Sequence, residues 1–121
     1  MATSDFTLLA GSGAPVERFA AGERIFVKDD AGSTMFVVRI GRVRLMAFGT
    51  VLDYVGPGGI FGEMSLIDGS PRSATAIAEE ATEVAVLDRA AFLQHLRANP
   101  DIAIEVMQLM AGRLRRMTES L

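Results

Sequence analysis

Between Pro57 and Ala76 the sequence gathers residue types that could hold a compact anion joined to a sugar. The run Pro57-Gly-Gly-Ile-Phe-Gly62 leads into Glu63-Met64-Ser65-Leu66-Ile67, and Arg72 follows Pro71 ahead of Ser73-Ala74-Thr75. Glycine lets backbone N–H groups approach a ligand closely, because no Cβ intervenes. A short helix starting near Glu63 would add free amides and the positive end of its dipole. The Arg72 guanidinium has the geometry to pair phosphate oxygens in a fork. The Glu63 carboxylate can accept from a sugar hydroxyl. The residues alone leave bland readings open. Glycine-rich turns are common, an arginine after proline is often a surface residue, and an acid in a first helical turn is stabilised by the dipole alone.

The elements that must position this segment are short. Glycine crowds the middle third of the chain, and between the glycines lie runs rich in β-branched and apolar residues: Glu23–Lys28, Met35–Ile40, Arg42–Ala47 and Thr50–Val55. Short strands punctuated by turn residues predict an antiparallel sandwich or barrel. Arg42-Val43-Arg44-Leu45 alternates charged and apolar, as a half-buried strand does. Gly49 sits where a tight hairpin would turn. Two further strands are predicted at Ser73–Ala78 and Thr82–Leu87. After Leu87 the period changes. Asp88 is a good N-cap for a helix over Arg89–Ala98, Asn99-Pro100 breaks it, and a second helix is predicted from Asp101 to about Thr118. Residues 2–13 are small and polar apart from Phe6, Leu8 and Leu9, which predicts either a short helix or a loose arm. The expected fold is mainly β with C-terminal helices: a jelly-roll (cupin-like) β-barrel over about 15–88, then two α-helices over about 89–118, all in one domain covering 1–121.

Composition narrows the function classes. A chain of 121 residues with half its residues apolar and 22% charged can bury one real core. It has no cysteine, so disulfides and thiolate metal sites are excluded. His95 is its one histidine, too few for the metal set of a cupin-type enzyme. No paired base and nucleophile is evident for a phosphodiesterase or other catalyst. A net charge of −3 argues against a dedicated nucleic-acid surface. The opening residues lack the features of a signal peptide, and no stretch reads as a membrane span. A cytoplasmic, non-enzymatic protein without membrane or nucleic-acid partner is expected.

Phe61-Gly-Glu-Met-Ser-Leu-Ile67 followed by Pro71-Arg-Ser-Ala-Thr75 resembles the phosphate-binding cassette of the cyclic-nucleotide-binding domain family. That family includes regulatory subunits of cAMP-dependent kinase, catabolite activator proteins and cytoplasmic domains of cyclic-nucleotide-regulated channels. The segment from Gly32 to Val43 is similar to the family's strand-glycine-strand unit. The segment from Leu87 to Pro100 is similar to its first C-terminal helix, so the resemblance covers nearly the whole chain. It implies a cAMP or cGMP ligand and no other cofactor. Arg72 would pair the cyclic phosphate, and Glu63 would accept the ribose 2′-hydroxyl. Gly62, Met64 and Ser65 would offer backbone N–H groups, Ser73 a hydroxyl and Ala74 its amide. Serine after the arginine occurs with either base, and cAMP is slightly favoured. Met46, Phe48, Val51 and Leu52 could face the purine or could equally be core.

The last predicted helix carries a second signal. Ala103, Met107, Met110, Leu114, Met117 and Leu121 recur at steps of four and three, a heptad-like seam. Ile102, Val106 and Leu109 form a neighbouring stripe suited to packing on the barrel. The seam could pack there too, close over a bound nucleotide, or pair with a second copy or an effector protein. Methionine suits changing partners. Arg113, Arg115 and Arg116 read as a solvated face near the helix C-terminus. The expected mechanism is a ligand-gated shift of these helices. The alternatives are a fragment of a larger transcription regulator or channel, and a degenerate barrel serving interaction or dimerisation. The Met1 start mildly favours a natural N-terminus, and no helix-turn-helix domain follows within the sequence.

Overall fold

The computed structural model describes residues 5–11 and 13–119. Among the described residues, eight strands form two four-stranded antiparallel sheets. The first sheet, in spatial order, contains β1 (Val16–Phe19), β8 (Thr82–Leu87), β3 (Met35–Ile40) and β6 (Ile60–Phe61). The second contains β2 (Arg24–Phe26), β7 (Thr75–Ala78), β4 (Val43–Ala47) and β5 (Thr50–Val55). The jelly-roll expectation holds, with one refinement: the sheets are not closed into a barrel. Gly56-Pro57-Gly58-Gly59 carries the chain from one sheet to the other, with Gly58 at φ 85° and bonded through its N–H to the Val38 carbonyl at 2.8 Å.

The two faces of β3 explain its unbroken apolar run. Phe36 and Val38 point into the space between the sheets, where they meet Val43, Leu45, Val55, Phe61, Ala76 and Val84. Met35 and Val37 point the other way, into a second cluster with Phe6, Leu9, Ile60, Leu66, Phe92, Ile102 and Val106. A strand buried on both sides has no polar face to alternate. The second sheet is covered on one face only, so β4 alternates: Val43, Leu45 and Ala47 are buried, while Arg44 and Met46 are half-buried.

Helices cover the outer face of the first sheet: α1 (Glu63–Asp68), α2 (Arg89–Ala98) and α3 (Asp101–Glu119). The Asp88 carboxylate accepts from the Ala91 N–H at 2.8 Å, the expected cap. Thr7–Ala10 forms a 3-10 helix that buries Leu9, so Phe6 and Leu9 belong to the core while Leu8 is exposed. The strands β1 and β6 have no counterpart in the sequence reading, because four and two residues give too little periodicity.

Phe48 is a correction. It does not face a ligand or the core: it is 86% exposed at the tip of the β4–β5 hairpin. There Phe48 at φ 53° and Gly49 at φ 72° form the two-residue turn whose central residues both need positive φ. By contrast Phe61 is fully buried and stacks on Phe36 with ring centroids 5.0 Å apart. Phe61→Ala should therefore cost about 3–5 kcal/mol of unfolding free energy, whereas Phe48→Ala should change it by less than about 1 kcal/mol. Urea denaturation of the two variants measures the difference.

Candidate functional site

The seven residues singled out in the cassette converge. Gly62, Glu63, Met64, Ser65, Arg72, Ser73 and Ala74 all line one cavity, together with Phe26, Leu45, Leu52, Asp53 and Arg113. Its empty volume is about 570 Å³, including space open to solvent. Gly62, with φ 79°, turns the chain from β6 into α1, so the first turn of α1 faces the cavity from one side. The start of the β7 segment brings Arg72, Ser73 and Ala74 to the other.

Arg72 is 5% exposed, and its surroundings hold it rigidly. Its backbone N–H donates to the Asp30 carbonyl, and its carbonyl accepts from the Asp29 N–H, both at 2.8 Å. In the side chain, Nη1 donates to the Thr34 carbonyl at 2.7 Å and the Gly62 carbonyl at 3.1 Å. Nη2 donates to the Thr34 hydroxyl at 3.2 Å. The guanidinium carbon lies 4.4 Å from the Phe26 ring centroid and 5.5 Å from that of Phe36. Two glycines make room: a Cβ on Gly32 would sit 2.2 Å from Nε, and one on Gly62 would sit 2.9 Å from Nη1. Among the described residues, Nε has no hydrogen-bond partner and no ion pair involving Arg72 occurs. Burial pulls this guanidinium below its ordinary pKa, with the charges of Asp30 and Glu63 opposing that shift. A buried cation with an unsatisfied donor is costly until an anion meets it.

Glu63 is equally buried, at 4% exposure, and its Oε1 accepts from Arg113 Nη1 of α3. The other edges of Arg113 are also taken. Nε lies 3.2 Å from Asp53 Oδ2 on β5, and Nη2 donates to the Ile60 carbonyl at 2.7 Å. Arg113 is thus no solvated residue: its side chain is 11% exposed. The sequence did carry a signal, since 113 continues the 102, 106, 109 stripe of α3 whose first two members are buried. Arg116 likewise reaches Asp53, at 3.1 Å.

The purine-facing expectations divide. Leu52 lines the cavity. Met46 and Phe48 border a separate depression on the outer face of the second sheet, and Val51 is exposed. The apolar wall comes instead from Phe26 and Leu45, which the sequence did not distinguish from core. On α3, Met110 and Leu109 pack against the helix-side cluster. Met107 and Leu114 are half exposed, at 54% and 50%. Leu121 and the side chain of Met117 lie outside the described residues. At the far end of α1, Arg89 Nη1 donates to the carbonyls of Leu66 and Ile67, at 3.2 and 3.0 Å, tying the start of α2 to the cassette helix. Among the described residues no cluster suited to a metal ion occurs, and no helix is long and apolar enough to cross a membrane.

Fold and cavity together define a jelly-roll binding domain. The model of the cyclic nucleotide-binding domain matches residues 16–99, and the chain belongs to that family. It is 39% identical over 102 residues to the cyclic AMP receptor protein of Thermus thermophilus, covering 80% of this chain and 47% of that one. It is 35% identical over 72 residues to a cAMP-dependent protein kinase regulatory subunit of Yarrowia lipolytica, covering 60% and 19%. The crystal structure of the Thermus thermophilus catabolite activator protein superposes with a TM-score of 0.79 at 36% identity, covering 94% of this chain and 55% of that one. The chain therefore spans about half or less of the length of these relatives.

The Glu63–Arg113 pair generates a stability prediction. Removing Arg113 leaves a buried carboxylate unpaired, so Arg113→Ala should cost about 3 kcal/mol or more. Arg115→Ala, on the exposed side of α3, should cost less than about 0.5 kcal/mol. Urea midpoints of the two variants check this.

Proposed function

We propose that this domain is a non-catalytic regulatory module that binds a cyclic nucleotide, cAMP or cGMP. The observation that carries the reading is the buried Arg72, whose Nε lacks a partner, facing the same cavity as the buried Glu63. One ligand class satisfies both: a cyclic phosphate brings anionic oxygens to Arg72, and its ribose 2′-hydroxyl donates to Glu63. Gly62, Met64, Ser65 and Ala74 supply backbone N–H groups, Ser73 adds its hydroxyl, and Phe26, Leu45 and Leu52 wall the base. A slight preference for cAMP fits the names of the two relatives aligned above, while other relatives are cGMP-dependent protein kinases. The proposal places the protein in the cytoplasm and requires no other cofactor.

The output is a shift of the C-terminal helices. Arg113 of α3 shares the carboxylate that the ribose would use, so occupancy of Glu63 alters the seat of α3. Arg89 passes movements of α1 to α2. A ligand moves this equilibrium only by its differential affinity for the two arrangements, and such couplings are typically ~1–3 kcal/mol. The exposed Ile104, Met107 and Leu114 recur at steps of three and seven, a seam that suits a second copy of the chain. This favours, as a second reading, the regulatory part of a longer dimeric transcription regulator.

Calorimetric titration with cAMP, cGMP and 5′-AMP tests the ligand. The expected result is saturable binding of a cyclic form and much weaker binding of 5′-AMP; no binding by folded, nucleotide-free protein overturns the reading. Arg72→Ala should weaken binding by about 10- to 100-fold, the scale of a lost charge-assisted pair. Amide hydrogen exchange in α3 that stays unchanged at saturating nucleotide would remove the helix-shift mechanism.

A further inference from the structure

Asp53 is not part of the cassette, yet it holds the arginine that meets Glu63. Strand β5 carries a bulge: Leu45 pairs with Asp53 and Met46 with Val51, which leaves Leu52 as the extra residue. Such a bulge re-aims side chains, and Leu52 and Asp53, although consecutive, both line the cavity. The Asp53 carboxylate is fully engaged. Oδ1 accepts from the Tyr54 N–H at 2.9 Å, and Oδ2 meets Arg113 Nε at 3.2 Å and Arg116 Nη2 at 3.1 Å. With the Ile60 carbonyl on Nη2, only Nη1 of Arg113 is turned to Glu63.

We infer that Asp53 is a positioning residue for the sugar end of the pocket. It orients Arg113 towards Glu63 and anchors α3 to β5, so that the hold on α3 does not rest on Glu63 alone. The inference deepens the cyclic-nucleotide reading and rests on it for the ligand. Its physical basis is the division of the guanidinium edges. When a ribose hydroxyl donates to Glu63 and loosens its hold on Arg113, the Asp53 contact limits how far Arg113 moves and keeps it beside the pocket. Without that contact, Arg113 is held by one carboxylate and one carbonyl, and the sugar edge loses its fixed geometry. The phosphate end, held through Arg72, Thr34 and Gly62, is independent of Asp53.

The test uses Asp53→Asn, which keeps the side-chain shape and removes the charge, with cAMP and 2′-deoxy-cAMP as probes. Affinity for cAMP should fall roughly tenfold, the scale of one charge-assisted contact, while affinity for the 2′-deoxy analogue, which lacks the hydroxyl, should change by less than about twofold. Equal losses for both nucleotides, or no loss for either, would overturn the positioning role. Amide exchange of the 109–116 segment without nucleotide should be faster in the variant than in the wild type, and unchanged exchange would also overturn it. If the wild-type protein binds neither nucleotide, the sensor reading fails, and the exchange comparison alone decides whether Asp53 seats α3.

Discussion

A guanidinium at 5% exposure must be surrounded by oxygens, and much of this structure follows from that need. Thr34 and Gly62 turn carbonyls towards Arg72, Phe26 and Phe36 lay rings against it, and Gly32 and Gly62 give up side chains so that it can fit. Carbonyl dipoles and aromatic faces soften the cost of burial but do not neutralise the charge. The sandwich therefore holds a buried cation in the lining of its cavity, oriented by its own contacts. Preorganisation of this kind lowers the ordering cost of binding.

The second buried charge is managed differently. Glu63 is paired with a residue from the last helix, and that residue is held by Asp53 on β5 and by the Ile60 carbonyl of β6. Strands β5 and β6 and helix α1, close in the chain, are joined to α3 through one guanidinium 50 to 60 residues further on. On the proposed reading, a ligand at Glu63 and the position of α3 share this one contact and are linked through it. Apolar packing of Ile102 and Val106 on the helix-side cluster sets how firmly α3 resists.

Much of this was legible beforehand. The apolar runs Met35–Ile40, Thr50–Val55 and Thr82–Leu87 coincide with β3, β5 and β8, because burial of a strand face writes itself into neighbouring residues. The cassette residues stand together at one cavity, because a glycine turn, a short helix and a strand start are positioned mostly by their own neighbours. Less legible were β1 and β6, too short for a pattern, and the division of the strands into two open sheets, which depends on how distant strands pair. Phe48 reads as a pocket or core aromatic until the hairpin leaves it at the tip.

What the sequence by itself determined was local: the order of strands and helices, the Asp88 cap, the cassette, and through them the family. What only the tertiary structure decided were the partners. The Arg113–Glu63 pair spans 50 residues of chain and Arg113–Asp53 spans 60, and Phe26 reaches the cavity from a strand of the opposite sheet to Phe36. The physical reason is range. Periodicity, capping and turn chemistry act over a few residues and leave a trace there. A salt bridge across sheet and helix instead depends on how whole elements pack: the stripe of α3 marks position 113 as inward, but nothing near it in the chain names Glu63 and Asp53 as its partners.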